Sequence, residues 1–169
     1  MTLTTHALVG AAAAKIFSIN PVLSMFAAFA SHFAIDAIPH WDYRILSQRW
    51  NDEHPLESDI AVGGPTFVLD LLRTGFDCLM GIYLAVAFFA SGPSHVWIVF
   101  FGAVIGILPD PLQFLYFKVR HEPLTSLQRF HVWIHSKNES LRGRWLVGGL
   151  LQVFLVATTM VLTNSLNLL

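Results

Sequence analysis

Long apolar runs separated by a few polar stretches organise this chain, and several approach the roughly 20 residues a helix needs to cross a bilayer. Positions 5–19 and 21–38 read as two helices parted by Asn20-Pro21, a turn signal. Both are short for a span, so they are expected to pair as a tight hairpin. A polar stretch follows over 40–65, with Asp52, Glu53, Glu57 and Asp59. Its Trp41, Tyr43 and Trp50 suit the headgroup layer, where amphipathic aromatic rings settle. Positions 66–90 predict a third helix, polar at its start (Asp70, Arg73, Asp77) and apolar afterwards. A fourth covers 94–117 and carries Pro109-Asp110-Pro111, where Pro111 disfavours helix at Asp110 and predicts a break. The stretch 118–144 is basic and is expected to hold an interfacial helix through His131 and His135. A final apolar span runs from 145 to about 166.

Composition sharpens this pattern. Of 169 residues, 54% are hydrophobic and 12% charged, against about 25% charged in ordinary globular chains. Mean hydropathy is +0.58. The expectation is one integral membrane domain over 1–169, an all-α polytopic bundle of about five membrane helices plus one interfacial helix. Positions 1–18 lack a basic leader, so a cleaved signal peptide is not expected. The lone Cys78 excludes an internal disulfide and a thiolate metal cluster. A net charge of −1 gives no support for nucleic-acid binding.

Charge also orients the chain. If the predicted helices alternate across a membrane, the 40–65 and 118–144 loops share the side of the N-terminus. Those loops hold Arg44, Arg49, Lys118, Arg120, Arg129, Lys137, Arg142 and Arg144. The opposite side receives turns without Lys or Arg, and Lys15 alone leans the other way. The positive-inside rule then makes the N-terminal side cytoplasmic.

The same alternation sorts the polar residues within the apolar segments. His6 opens the first helix, while His32, Asp36 and His40 close the second. Asp70, Arg73 and Asp77 begin the third, Asp110 lies near the end of the fourth, and His131 and His135 are in the following loop. All of these fall at one membrane depth, whereas unrelated polar accidents would scatter between both sides. His54, His95 and His121 fall in loops or at the opposite face.

His32 and Asp36 are one helical turn apart on one face, and Pro39 weakens the helix so that His40 and Asp42 can swing back toward them. Imidazole and carboxylate ligands of this kind hold zinc or manganese. Buried in apolar surroundings, they are costly unless a cation or charge partner satisfies them. The plainer reading is a set of polar groups hydrogen-bonded between helices. His131 and His135, at i and i+4, can present two imidazoles to one metal or simply ride on an interfacial helix. Asp70, Arg73 and Asp77 share a face as an internal ion-pair ladder, or Asp77 serves as ligand or base and Arg73 holds a substrate phosphate or carboxylate.

The set His6-Ala-Leu-Val-Gly10, Ser31-His32-x-x-x-Asp36, Leu108-Pro109-Asp110 and His135-Ser136 resembles the bacterial inner-membrane proteins described as membrane-bound metal-dependent hydrolases (YdjM-like). His32-x-x-x-Asp36 with His40 is also similar to the metal-binding helix of zinc-dependent phospholipase C and related single-strand nucleases. These resemblances imply an inner-membrane, metal-dependent hydrolase, with phosphate esters as the substrates that the phospholipase-like helix suggests.

Taken together, one or two divalent ions, Zn²⁺ first, are expected on His32, Asp36 and Asp110 with help from His6, His40 and His135. Asp77 or His131 would relay a proton and Arg73 would bind substrate. The expected partner is a membrane lipid, as a lipid-phosphate substrate reaching the site at the cytoplasmic leaflet. The competing readings are a divalent-metal or proton transporter and a structural protein stapled by a metal.

Overall fold

The structure, a computed structural model, describes residues 1–166 and is dominated by helix. In chain order it comprises α1 (Leu3–Ile16), α2 (Pro21–Asp36), α3 (Gly64–Phe89), α4 (Pro93–Ile107), α5 (Pro109–Val119), α6 (Leu124–Ile134) and α7 (Trp145–Leu166). Between α2 and α3, strands β1 (Gln48–Arg49) and β2 (Asp59–Ile60) pair antiparallel around a 3-10 turn at Pro55–Glu57.

Among the described residues, two helices, α3 and α7, are long and apolar enough by themselves to cross a bilayer. The α4–α5 pair adds a third if its 42° bend is taken within one span. The expectation of about five spans is therefore met only in part, because α1 and α2 have 14 and 16 residues. At 1.5 Å per residue they reach about 21 and 24 Å, short of a hydrocarbon core of about 30 Å. Other boundaries moved as well. Phe17 caps α1 three residues before Asn20, and α2 stops at Asp36, ahead of the restriction that Pro39 places on Ile38. The break near Asp110 falls earlier, at Leu108, because Pro109 takes the first position of α5, where a missing N–H costs nothing. Asp110 is thus helical, in the first turn of α5.

Helix α1 is the hub. It packs against α2, α3, α4 and α7, and Thr5 to Ala12 are all buried. Its small side chains permit that crowding. A Cβ on Gly10 would meet the Gly102 carbonyl oxygen at 2.7 Å and the Gly106 Cα at 2.8 Å. A Cβ on Gly106 would in turn meet the His6 carbonyl oxygen at 2.7 Å. Close backbone approach through small residues spaced by four is the packing mode of helices in lipid, where apolar burial gives little drive. Ala7, Leu8, Ala11, Ala12, Ala85, Phe89, Val99, Ala103 and Ile107 fill the core around it.

Polar bonds fix the beginning of α1. Asp77 of α3 accepts hydrogen bonds from the Leu3 and Thr4 amides at 2.7 and 3.1 Å and from the Thr4 hydroxyl at 2.6 Å. The Gln152 side-chain oxygen of α7 accepts from the Thr2 amide and the Thr5 hydroxyl, while its nitrogen donates to the Trp41 carbonyl. A carboxylate at a helix N-terminus satisfies otherwise orphaned amides and complements the helix dipole. The 40–65 stretch is ordered against α3 and α5. Ser47 donates to Asp70 from both its amide and its hydroxyl at 2.7 Å, and Lys118 pairs with Asp59 at 2.6 Å.

Candidate metal centre

The end of α2 is where the polar segments meet. Asp36 lies at its last turn with its side chain 2% exposed. His32, one turn earlier, brings Nε2 to 3.1 Å from Asp36 Oδ2, and His131 of α6 brings its own Nε2 to 3.2 Å from the same oxygen. Asp110 completes this group, 3.5 Å from His32 Nε2. On the other carboxylate oxygen, His6 Nε2 of α1 stands at 3.2 Å and His40 Nε2 at 3.8 Å. The Met1 ammonium is 3.1 Å from Asp36 and 2.9 Å from Asp42. The N-terminus with α1, the end of α2, the stretch after it, α5 and α6 deliver these groups to a single end of the bundle.

Two sets of side chains within this cluster are close enough to share an ion. His32, Asp36, Asp110 and His131 form one, and Asp36, His40 and His135 form the other, with ligand atoms in each set within 4.8 Å of one another. Asp36 belongs to both. The first set is mostly buried and the second half-buried. His131 and His135, which at i and i+4 could have presented two imidazoles to one metal, divide between the sets, and His131, expected to relay a proton, falls among the metal-capable side chains. The reason is local: α6 ends at Ile134, and the extended His135 is carried to His40 by the Ser136 amide bonding to the Asp36 carbonyl at 2.8 Å.

The ring environments favour a cation. His32 Nδ1 is 2.9 Å from the Gly106 carbonyl, His40 Nδ1 is 2.7 Å from the Ile38 carbonyl, and His135 Nδ1 is 3.3 Å from the Ser136 carbonyl. A carbonyl only accepts, so each Nδ1 carries the proton and each Nε2 presents a lone pair unless the ring is doubly protonated. His32 Nε2 nevertheless faces Asp36, and it also lies 3.4 Å from His131 Nε2. Lone pairs facing a carboxylate repel, while several imidazolium ions here would repel one another, since His6 and His32 stack with ring centres 3.8 Å apart. The His6 ring is fully buried, and neither of its nitrogens makes a hydrogen bond of acceptable geometry despite the 3.2 Å approach to Asp36. A divalent ion relieves both problems by accepting the lone pairs and neutralising the carboxylates. Burial pushes the His135 imidazole below its ordinary pKa, toward the neutral form that ligates.

Not every expected residue arrives. Asp77 is occupied at the start of α1 and by the Tyr43 hydroxyl at 3.0 Å, away from the cluster. Arg73 is exposed and lies over the Tyr43 ring at 5.8 Å. Asp70 holds Ser47 rather than an ion-pair ladder. Conversely, Asp42 joins the cluster through His40 at 3.0 Å, a contact its position two residues on made legible. The Gly106 carbonyl, which sets the His32 tautomer, had no signal beyond the Gly102-x-x-x-Gly106 spacing.

No family model, curated protein or solved structure matches this chain.

Proposed function

We propose that this protein is a membrane-embedded, metal-dependent hydrolase acting on a lipid-like phosphoester or acyl ester at the cytoplasmic leaflet. The observation that carries the reading is the set of imidazoles whose Nδ1 protons are committed to main-chain carbonyls while their Nε2 atoms converge on one buried carboxylate. Backbone-fixed tautomers of this kind are how metal-binding histidines are usually held. His32, Asp36, Asp110 and His131 would hold a first ion, with Zn²⁺ the best match to nitrogen and oxygen donors. His40, His135 and the second oxygen of Asp36 would hold another, and His6 stands beside Asp36. A divalent ion here supplies an activated water near neutral pH and polarises the phosphoryl or acyl oxygen.

The chain's own groups do the rest. Asp36 orients the two histidine sets about one point, and the Gly106, Ile38 and Ser136 carbonyls keep the rings from turning. Asp42, 43% exposed and bonded to His40, marks the open side where water and a headgroup can enter. The overall reaction adds water across the ester, with hydroxyl going to phosphorus or the acyl carbon and the proton to the departing alcohol. The motifs shared with the YdjM-like family point the same way.

The test uses purified protein in detergent. Zinc-loaded protein should carry close to one or two equivalents of metal by elemental analysis and cleave a lipid phosphate or acyl ester without any ion gradient. Less than about a tenth of an equivalent after zinc supplementation removes the metal centre. Metal-dependent flux in sealed vesicles, with no turnover across a lipid panel, replaces the hydrolase with a transporter.

A further inference from the structure

The metal cluster has an apolar neighbour. A groove of about 250 Å³ opens beside it, between α7 and the segment that follows α2, with walls that include Ile38, Pro39, Leu151, Phe154 and Leu155. His40 is among the lining residues and belongs also to the half-buried metal-capable set. A second, shallower depression continues along α7 and shares Phe154 and Thr158 with the first, reaching Val161 and Leu162. Gly148, Leu151, Leu155, Thr158 and Leu162 recur at three- and four-residue steps, so the two depressions lie along one face of α7.

We propose that this groove seats one acyl chain of the lipid whose headgroup lies at the His40 end of the cluster; the proposal rests on the hydrolase reading and names its substrate class as a long-chain amphiphile. Three features identify the occupant. First, α7 is long and apolar enough to cross a bilayer, which would bathe this face in hydrocarbon. Second, from Gly148 to Leu162 the stripe extends about 21 Å at 1.5 Å per residue, more than the roughly 15 Å of one leaflet's hydrocarbon. Third, a metal-capable histidine is among the groove's lining residues, which sets the apolar slot next to the place where a phosphate or ester would sit. Gly148, also in the lining, lets Trp41 pack against α7, since a Cβ there would strike the Trp41 side chain.

The equally exposed face of α3, with Leu72, Phe76, Leu79 and Tyr83, provides the control for ordinary boundary lipid. The full chain is reconstituted in phosphatidylcholine vesicles containing phosphatidic acid with a photoreactive diazirine in mid-chain, irradiated, and mapped by mass spectrometry. Adducts should concentrate at least severalfold on 38–39 and 151–162 over the α3 face, and Leu151→Trp, which fills the groove at a half-exposed position, should remove that excess. Equal labelling of the two faces overturns the groove. Turnover provides a second reading. Leu151→Trp should lower the ratio of kcat/KM for a long-chain over a dibutyryl phosphatidic acid at least tenfold, and Leu79→Trp should leave that ratio unchanged. An unchanged ratio in Leu151→Trp also overturns the groove. If wild type cleaves neither substrate, the hydrolase reading fails by itself and the labelling still decides whether the chain is bound.

Discussion

Asp36 and Asp77 serve the same end of the bundle, and each lies against the start of α1, yet their surroundings are opposites. Asp77 is fed by two backbone amides, a threonine hydroxyl and a tyrosine hydroxyl. Amides can only donate, so that carboxylate is fully satisfied by the protein itself. Asp36 is ringed instead by the Nε2 atoms of His6, His32, His40 and His131. Two of those rings, His32 and His40, have Nδ1 against a main-chain carbonyl. The Met1 ammonium, 3.1 Å away, is one cation already beside it, and the imidazole lone pairs that remain would be met by a divalent ion. Depth in an apolar chain therefore does not distinguish a structural carboxylate from a ligating one; the identity of its donors does.

The sharpest way to break this contrast is Asp36→Asn, which keeps the shape and removes the charge. Metal content should fall to a small fraction of wild type, and turnover of any lipid ester that wild type cleaves should drop by at least about a hundredfold, the scale of losing a key catalytic interaction. Elemental analysis and product assay read the two effects separately. Wild-type metal occupancy in this variant would make Asp36 another structural carboxylate.

Asp77→Asn should do the converse. The amide side chain keeps one acceptor oxygen but presents an NH₂ group to donors, which strands the amides or hydroxyl at the start of α1. These groups are only partly buried, so the cost should be about 1–2 kcal/mol, the lower part of the range for a polar group left unsatisfied, read as a melting temperature lower by several degrees. Metal content should stay at the wild-type level. Loss of metal with an unchanged melting temperature would move Asp77 into the site.

Much of this was legible in the sequence, and the parts that were not share a cause. His32 and Asp36 were readable because helical period alone puts them on one face, and alternation of helices predicted that His6, Asp110 and His131 would reach the same end. Asp77 was misplaced because periodicity gives depth and not direction: from sequence, a carboxylate two turns into a helix looks the same whether it faces imidazoles or a neighbouring helix terminus. The span count was met only in part for a related reason. The Gly10, Gly102 and Gly106 contacts sink α1 into the centre of the bundle, so its apolar surface meets protein instead of lipid. An apolar run cannot by itself declare which of those it meets. The partition of His131 and His135 depended on where α6 ends, and helix ends are the weakest part of any reading by pattern.

Thr4→Val gives the smallest effect and the finest test of the contrast. The Thr4 hydroxyl donates to Asp77 Oδ1 at 2.6 Å and stands 2.9 Å from the Asp77 carbonyl. Valine nearly preserves its volume but removes that donor, while the Thr4 amide at 3.1 Å continues to serve the same carboxylate oxygen. Because one donor remains, the loss should be about 1 kcal/mol, the net worth of a single hydrogen bond. Thr4→Ser, which restores a hydroxyl, should recover most of it. Metal content should be unaltered in both variants, since the carboxylate they disturb is not the one that faces the imidazoles. If Thr4→Val lowered metal occupancy while Thr4→Ser restored it, the start of α1 and the cluster would be one cooperative unit, and the division drawn between Asp36 and Asp77 would have to be abandoned.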